Sequence, residues 1–168
     1  MLKAFILPAT LLALLLPAMA QAEEEPTPVA SAREAGVKSC MAPLKEIATY
    51  LVKDVAQHAS HDLWNERSPD RRPFSSLIVK QYPDGDSHVS MIVGPDKAGQ
   101  CFAEYNETAY WAKSCVVLRD EAFSKFTMHG SLNKHTTVLR NDNKTVFLYM
   151  TPQSDAGCLV TRREIFYY

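Results

Sequence analysis

The sequence predicts an α+β domain: one long amphipathic N-terminal helix packed on an antiparallel meander sheet of about five to seven strands, with two disulfides. Three observations carry that prediction. Apolar residues recur at three- and four-residue steps through a single early stretch. Beyond it, short runs rich in branched and aromatic residues alternate with turn-forming clusters. Four cysteines, an even number, follow an export-like N-terminus.

That N-terminus, residues 1–22, reads as a cleaved signal peptide. Lys3 supplies the positive start, an apolar run follows to Pro17, and Ala18-Met19-Ala20 and Ala20-Gln21-Ala22 offer small-x-small cleavage sites. The run is shorter than the about 20 apolar residues a membrane span needs. The expected product is a periplasmic or secreted chain with no transmembrane segment. Cleavage removes only Lys3 among the charged residues and leaves 17 positive against 19 negative, a net charge of −2. Residues 23–32 read as a flexible acidic and proline-bearing tether, because Glu23, Glu24 and Glu25 repel and Pro26 and Pro28 block regular structure. Residues 33–168 are left for a single α+β domain.

The periodic stretch contains Val37, Cys40, Met41, Leu44, Ile47, Ala48, Leu51, Val52, Val55, Ala56 and Ala59. They form one apolar stripe and predict a helix over residues 39–63, with Lys45, Glu46, Lys53, Asp54 and Gln57 on its other face. Ser31 and Glu34 offer a capping box for an earlier start. Pro43 means either that the main helix begins just before it or that an earlier helix kinks there. Residues 65–73, with two prolines and Arg67, Asp70, Arg71 and Arg72, read as a loop. Strands are expected over 74–82 and 87–94, flanking the turn Pro83-Asp84-Gly85-Asp86, and then near 100–105. A further strand is expected at 110–111 or 115–118, while 123–129 is ambiguous. Residues 136–140 and 145–151 flank a second turn, Asn141-Asp142-Asn143-Lys144, and 158–168 form the last strand.

Disulfides persist in oxidising compartments, and four cysteines allow three pairings. A chain reversal near Asn106-Glu107-Thr108 would bring Cys101 to Cys115 and leave Cys40 for Cys158, which is the pairing expected. No two cysteines have zinc-knuckle spacing.

Function is only narrowed. The near-neutral charge argues against a nucleic-acid partner. Gly-x-Ser-x-Gly elbows, phosphate-cradling glycine loops and metalloprotease motifs are absent, so nothing calls for a catalytic residue, a metal or a cofactor. His58 and His61 would share a helix face, but no third ligand stands at a fixed spacing. Tyr105, Tyr110 and Trp111 form an aromatic cluster, and Arg67, Arg71 and Arg72 a basic loop. Both are candidate partner-binding groups, since aromatic and arginine side chains dominate interfaces. The expectation is a small exported non-enzymatic binding protein, such as an inhibitor, immunity factor or envelope accessory subunit, with a protein or envelope component as partner. The alternative is an exported hydrolase whose site joins a histidine (His88, His129 or His135) to a carboxylate from another strand.

Overall fold

A computed structural model describes residues 25–55 and 57–168. The expected signal peptide and the first residues of the expected tether lie outside the described residues. From Thr27 onward the tether segment is helical instead: α1 (Thr27–Ala35) carries Pro28 in its first turn, where a missing N–H costs nothing. It ends at Gly36, whose φ of 88° lets its N–H close on the carbonyls of Ala32 and Arg33. Val29 and Ala32 are fully buried. Ser31 therefore lies inside a helix and does not cap one.

Among the described residues no long N-terminal helix forms, and they are mostly sheet. α2 (Met41–Val52) begins just before Pro43, so the proline occupies the first turn and removes no helical bond. Leu44, Ile47, Ala48, Leu51 and Val52 form its buried stripe. The expected helix to residue 63 stops at Lys53, and β1 (His58–Leu63) pairs antiparallel with β2 (Phe74–Tyr82) from His58↔Lys80 to Leu63↔Ser75. The physical reason is that β2 offers an unpaired backbone row, and 58–63 carries too few apolar residues to hold a helix onto the core. In a strand, His58 and His61 point to opposite faces, so they no longer share the helix face that grouped them.

The remaining strands are β3 (Gly85–Pro95), β4 (Cys101–Trp111), β5 (Thr127–Leu132), β6 (Thr136–Arg140), β7 (Val146–Pro152) and β8 (Cys158–Tyr167). α3 (Cys115–Glu121), capped by Ser114, stands where a strand at 115–118 was one alternative. The eight strands form one antiparallel sheet in the order β1-β2-β3-β4-β8-β7-β6-β5, not five to seven. Two four-stranded meanders are thus joined edge to edge by β4 and β8. Register partners across a ladder share a face. By that rule the two hydrophobic cores lie on the same face of the sheet. Under α1 and α2 pack Phe74, Ile78, Val89, Met91, Val93 and Tyr105; under α3 pack Leu118, Leu139, Leu148, Met150 and Val160.

Each core carries one disulfide, and the expected pairing is overturned. Cys40 bonds Cys101 and Cys115 bonds Cys158, with Cα separations of 5.7 and 5.0 Å. No reversal occurs at Asn106-Glu107-Thr108, which runs through the middle of β4. The strand is about 33 Å long and holds Cys101 far from Cys115. Among the described residues, no helix is long and apolar enough to cross a membrane. The two disulfides fit an extracellular or otherwise oxidising compartment.

Candidate functional site

A diagonal band of polar side chains crosses the sheet between the two cores, and above it opens a cleft of about 450 Å³. Alternation within the strands creates the band. Lys80 shares the inward side of β2 with Phe74, Ser76 and Ile78, and Ser87 that of β3 with Val89 and Met91. Glu107 follows Ala103 and Tyr105 on β4; Arg162 and Glu164 follow Val160 on β8. The hairpin between β2 and β3 and the end of α2 close one side with Tyr82, Asp84, Asp86 and Asp54. Trp111, Phe123 and Phe126 build the opposite, aromatic side, with Tyr110 at its rim and Ala109, Leu148 and Val160 at its base. Trp111 meets Phe123 edge to face at 6.2 Å, and Phe123 meets Phe126 likewise at 6.3 Å. The Tyr110 ring lies over Gly157, where any Cβ would clash with the phenol.

Two ionic networks hold the floor. In the first, the Lys80 side chain is 3% exposed and its Nζ reaches Glu107 Oε1 at 2.8 Å and Asp54 Oδ1 at 3.1 Å. Ser87 Oγ donates to the same Glu107 oxygen at 3.1 Å, and Tyr82 OH donates to Asp54 Oδ2 at 2.8 Å. Burial alone would push the Lys80 ammonium down. Its hydrogen bonds to Glu107 and Tyr82, the charge of Glu107 and the bond to Asp54 outweigh burial and hold it above the ordinary lysine range. Burial likewise works to raise Asp54, but hydrogen bonds from Tyr82 and Lys80 keep it below the ordinary carboxylate range.

In the second network Arg162 Nε donates to Tyr105 OH at 2.8 Å, and Nη2 reaches Tyr50 OH at 3.1 Å and Glu164 Oε2 at 3.2 Å. Tyr105 OH donates to Glu164 Oε2 at 2.9 Å. Burial raises the Tyr105 phenol far above its usual range; Arg162 opposes that and Glu164 adds to it. Tyr105 therefore stays a neutral donor that positions Glu164 and Arg162.

The structure separates the residues grouped from the sequence. Tyr110 and Trp111 line the cleft. Tyr105 is fully buried and works beneath the floor. Arg67, Arg71 and Arg72 are exposed on the segment before β2, whose single helical turn (Pro69–Arg71) packs on β3 and where Pro73 abuts Gly94. That is the other end of β2 and β3 from the hairpin lining the cleft, roughly 25 Å away along the strands. Asp70 of this segment accepts from the Lys38 and Ser39 backbone N–H groups, both at 2.6 Å, which is a structural duty. Among the described residues no histidine comes within ion-pair reach of a carboxylate: His58 Nε2 accepts from Thr27 N, and His129 packs edge-on to Phe147.

Sequence reasoning missed Asp54, Lys80, Ser87, Glu107 and the cleft role of Arg162. The signal was present in Lys80 and Glu107, each a charge on the inward parity of a strand whose neighbours of that parity are apolar. Comparison with known protein families, with curated proteins and with solved structures finds no match for the chain.

Proposed function

We propose that this protein is a small exported, non-enzymatic binding protein, released by cleavage after residue 22, and that its ligand sits in the cleft between the two cores. The observation that carries the reading is the cleft's construction. One wall is aromatic, and its Trp111 remains 39% exposed although a second core lies directly beneath it. Exposed aromatics beside an ordered polar floor make a concave, mostly apolar site with a few oriented polar groups, the usual form of a ligand pocket. Both walls are pre-organised, by the Lys80 ion pairs on one side and the Cys115–Cys158 bond on the other, so little order remains to be lost on binding. A protein or envelope component offering an apolar group is the partner this favours.

The test uses the neutral fluorophore 1-N-phenylnaphthylamine, whose emission rises on entering an apolar site. The folded protein is expected to bind it at one site per chain. Trp111→Ala is expected to weaken that binding by about 2 kcal/mol, roughly thirtyfold, because it truncates a central aromatic contact. Equal binding by wild type and Trp111→Ala would remove the cleft from consideration.

A further inference from the structure

We infer that the floor of the cleft is built to hold the backbone of an extended peptide, Glu107 accepting from a residue's N–H and Arg162 donating to the same residue's C=O. This rests on the reading of the cleft as a ligand site. Glu107 and Arg162 are register partners on β4 and β8 and project from the same face. At that spacing a glutamate and an arginine ordinarily pair with each other. Here they do not. Glu107 is drawn to Lys80 and Ser87 through Oε1, and Arg162 to Tyr105, Tyr50 and Glu164 through Nε and Nη2. Glu107 is thereby held toward β2 and β3, and Arg162 toward Tyr105, Tyr50 and Glu164. Among the described residues, Glu107 Oε2 and Arg162 Nη1 make no hydrogen bond, although both residues line the cleft.

The result is one fixed anionic acceptor beside one fixed cationic donor. A free carboxylate would be repelled by Glu107, Asp84 and Asp86, and a free amine, though drawn to them, has no acceptor to offer Arg162. A residue in extended conformation suits both, because its own N–H and C=O point to the same edge, as in an antiparallel ladder. Its side chain then has the Trp111, Phe123 and Phe126 wall to fill, which selects an aromatic or large aliphatic residue. The occupant is an extended peptide segment of a partner protein.

Isothermal titration of the wild-type chain tests this with two probes that differ by one group. N-acetyl-L-phenylalanine N-methylamide offers both backbone groups; O-acetyl-L-phenyllactic acid N-methylamide has an ester oxygen in place of the N–H. The amide is expected to bind at least about tenfold more tightly, since the ester leaves a charged acceptor unpaired. In Glu107→Gln, with an unchanged circular dichroism spectrum, the ratio is expected to shrink. The wild-type comparison stands even if that variant does not fold. Equal affinity for the two probes overturns the peptide inference while leaving the cleft as a ligand site. Failure of both probes where 1-N-phenylnaphthylamine still binds does the same, and failure of all three overturns the cleft reading as well.

Discussion

Replacing Lys80 with methionine keeps the unbranched stem of the side chain and removes the one cation shared by Asp54 and Glu107. Lys80 is 3% exposed at its side chain, so its ammonium has exchanged water for those two carboxylates. Removing one partner of a fully buried pair costs about 3–5 kcal/mol, mostly by stranding the other charge. The stranded groups here are less enclosed, Glu107 at 23% and Asp54 at 53%, and can recover part of their hydration through the cleft. Discounting for that gives about 2 kcal/mol, or roughly 4–8 °C in Tm for a chain of this size. The pH profile is the sharper readout. Asp54 titrates below its ordinary 3.8 in the folded state, so its share of the stability is present above about pH 4 and disappears as the pH falls through the folded value. Lys80 titrates above its ordinary 10.5, so its share is complete below that pH and is lost on further alkalinisation. Urea unfolding with the disulfides intact, repeated from pH 3 to pH 11, is expected to show a plateau between those limits that Lys80→Met lowers. Adding Glu107→Gln to Lys80→Met is expected to recover part of the loss by removing the stranded charge. A Lys80→Met protein within about 0.5 kcal/mol of wild type across the plateau would refute the reasoning.

Two further outcomes follow from the same structure. Replacing Cys115 and Cys158 together by serine reopens a loop of 43 residues and is expected to cost about 4 kcal/mol in the chain-entropy account, with phenylnaphthylamine binding lost because α3 and Phe123 come away from the sheet; peptide mapping without reduction should recover Cys40 with Cys101 and Cys115 with Cys158, and any other pairing would undo the assignment. Ser76 is 1% exposed and its hydroxyl has no partner among the described residues, so Ser76→Ala is expected to be neutral or stabilising in urea unfolding, whereas a loss of more than about 1 kcal/mol would show an unseen hydrogen bond.

The strands were legible where a turn and an alternating pattern agreed. Residues 74–82 and 136–140 form β2 and β6 at the expected bounds, because proline, glycine and asparagine punctuate the chain beside them. Residues 58–63 were misread as helix because Ala59 continues the apolar spacing of α2. What ends the helix is the open edge of β2, a partner distant in sequence. The stretch 123–129, at the start of β5, stays ambiguous in the sequence because Thr127–Leu132 is an exposed edge strand with little apolar alternation to betray it. Of the candidate site, Tyr110 and Trp111 were visible as an aromatic pair, whereas the polar floor was not. Its members come from the turn after α2 and from β2, β3, β4 and β8, and although the inward parity of Lys80 and Glu107 hints at burial, nothing in the sequence brings them together.

By itself the sequence determined what local chemistry decides: hairpin turns, the buried stripe of α2, and an even set of cysteines in a chain of slight negative charge. Only the tertiary structure decided the helix end at Lys53, the cysteine partners and the meeting of Glu107 with Arg162 on the cleft floor. These depend on the order in which eight strands lie side by side. The pairing of β4 with β8 brings together residues 47 to 65 positions apart, and no local preference in either strand encodes it.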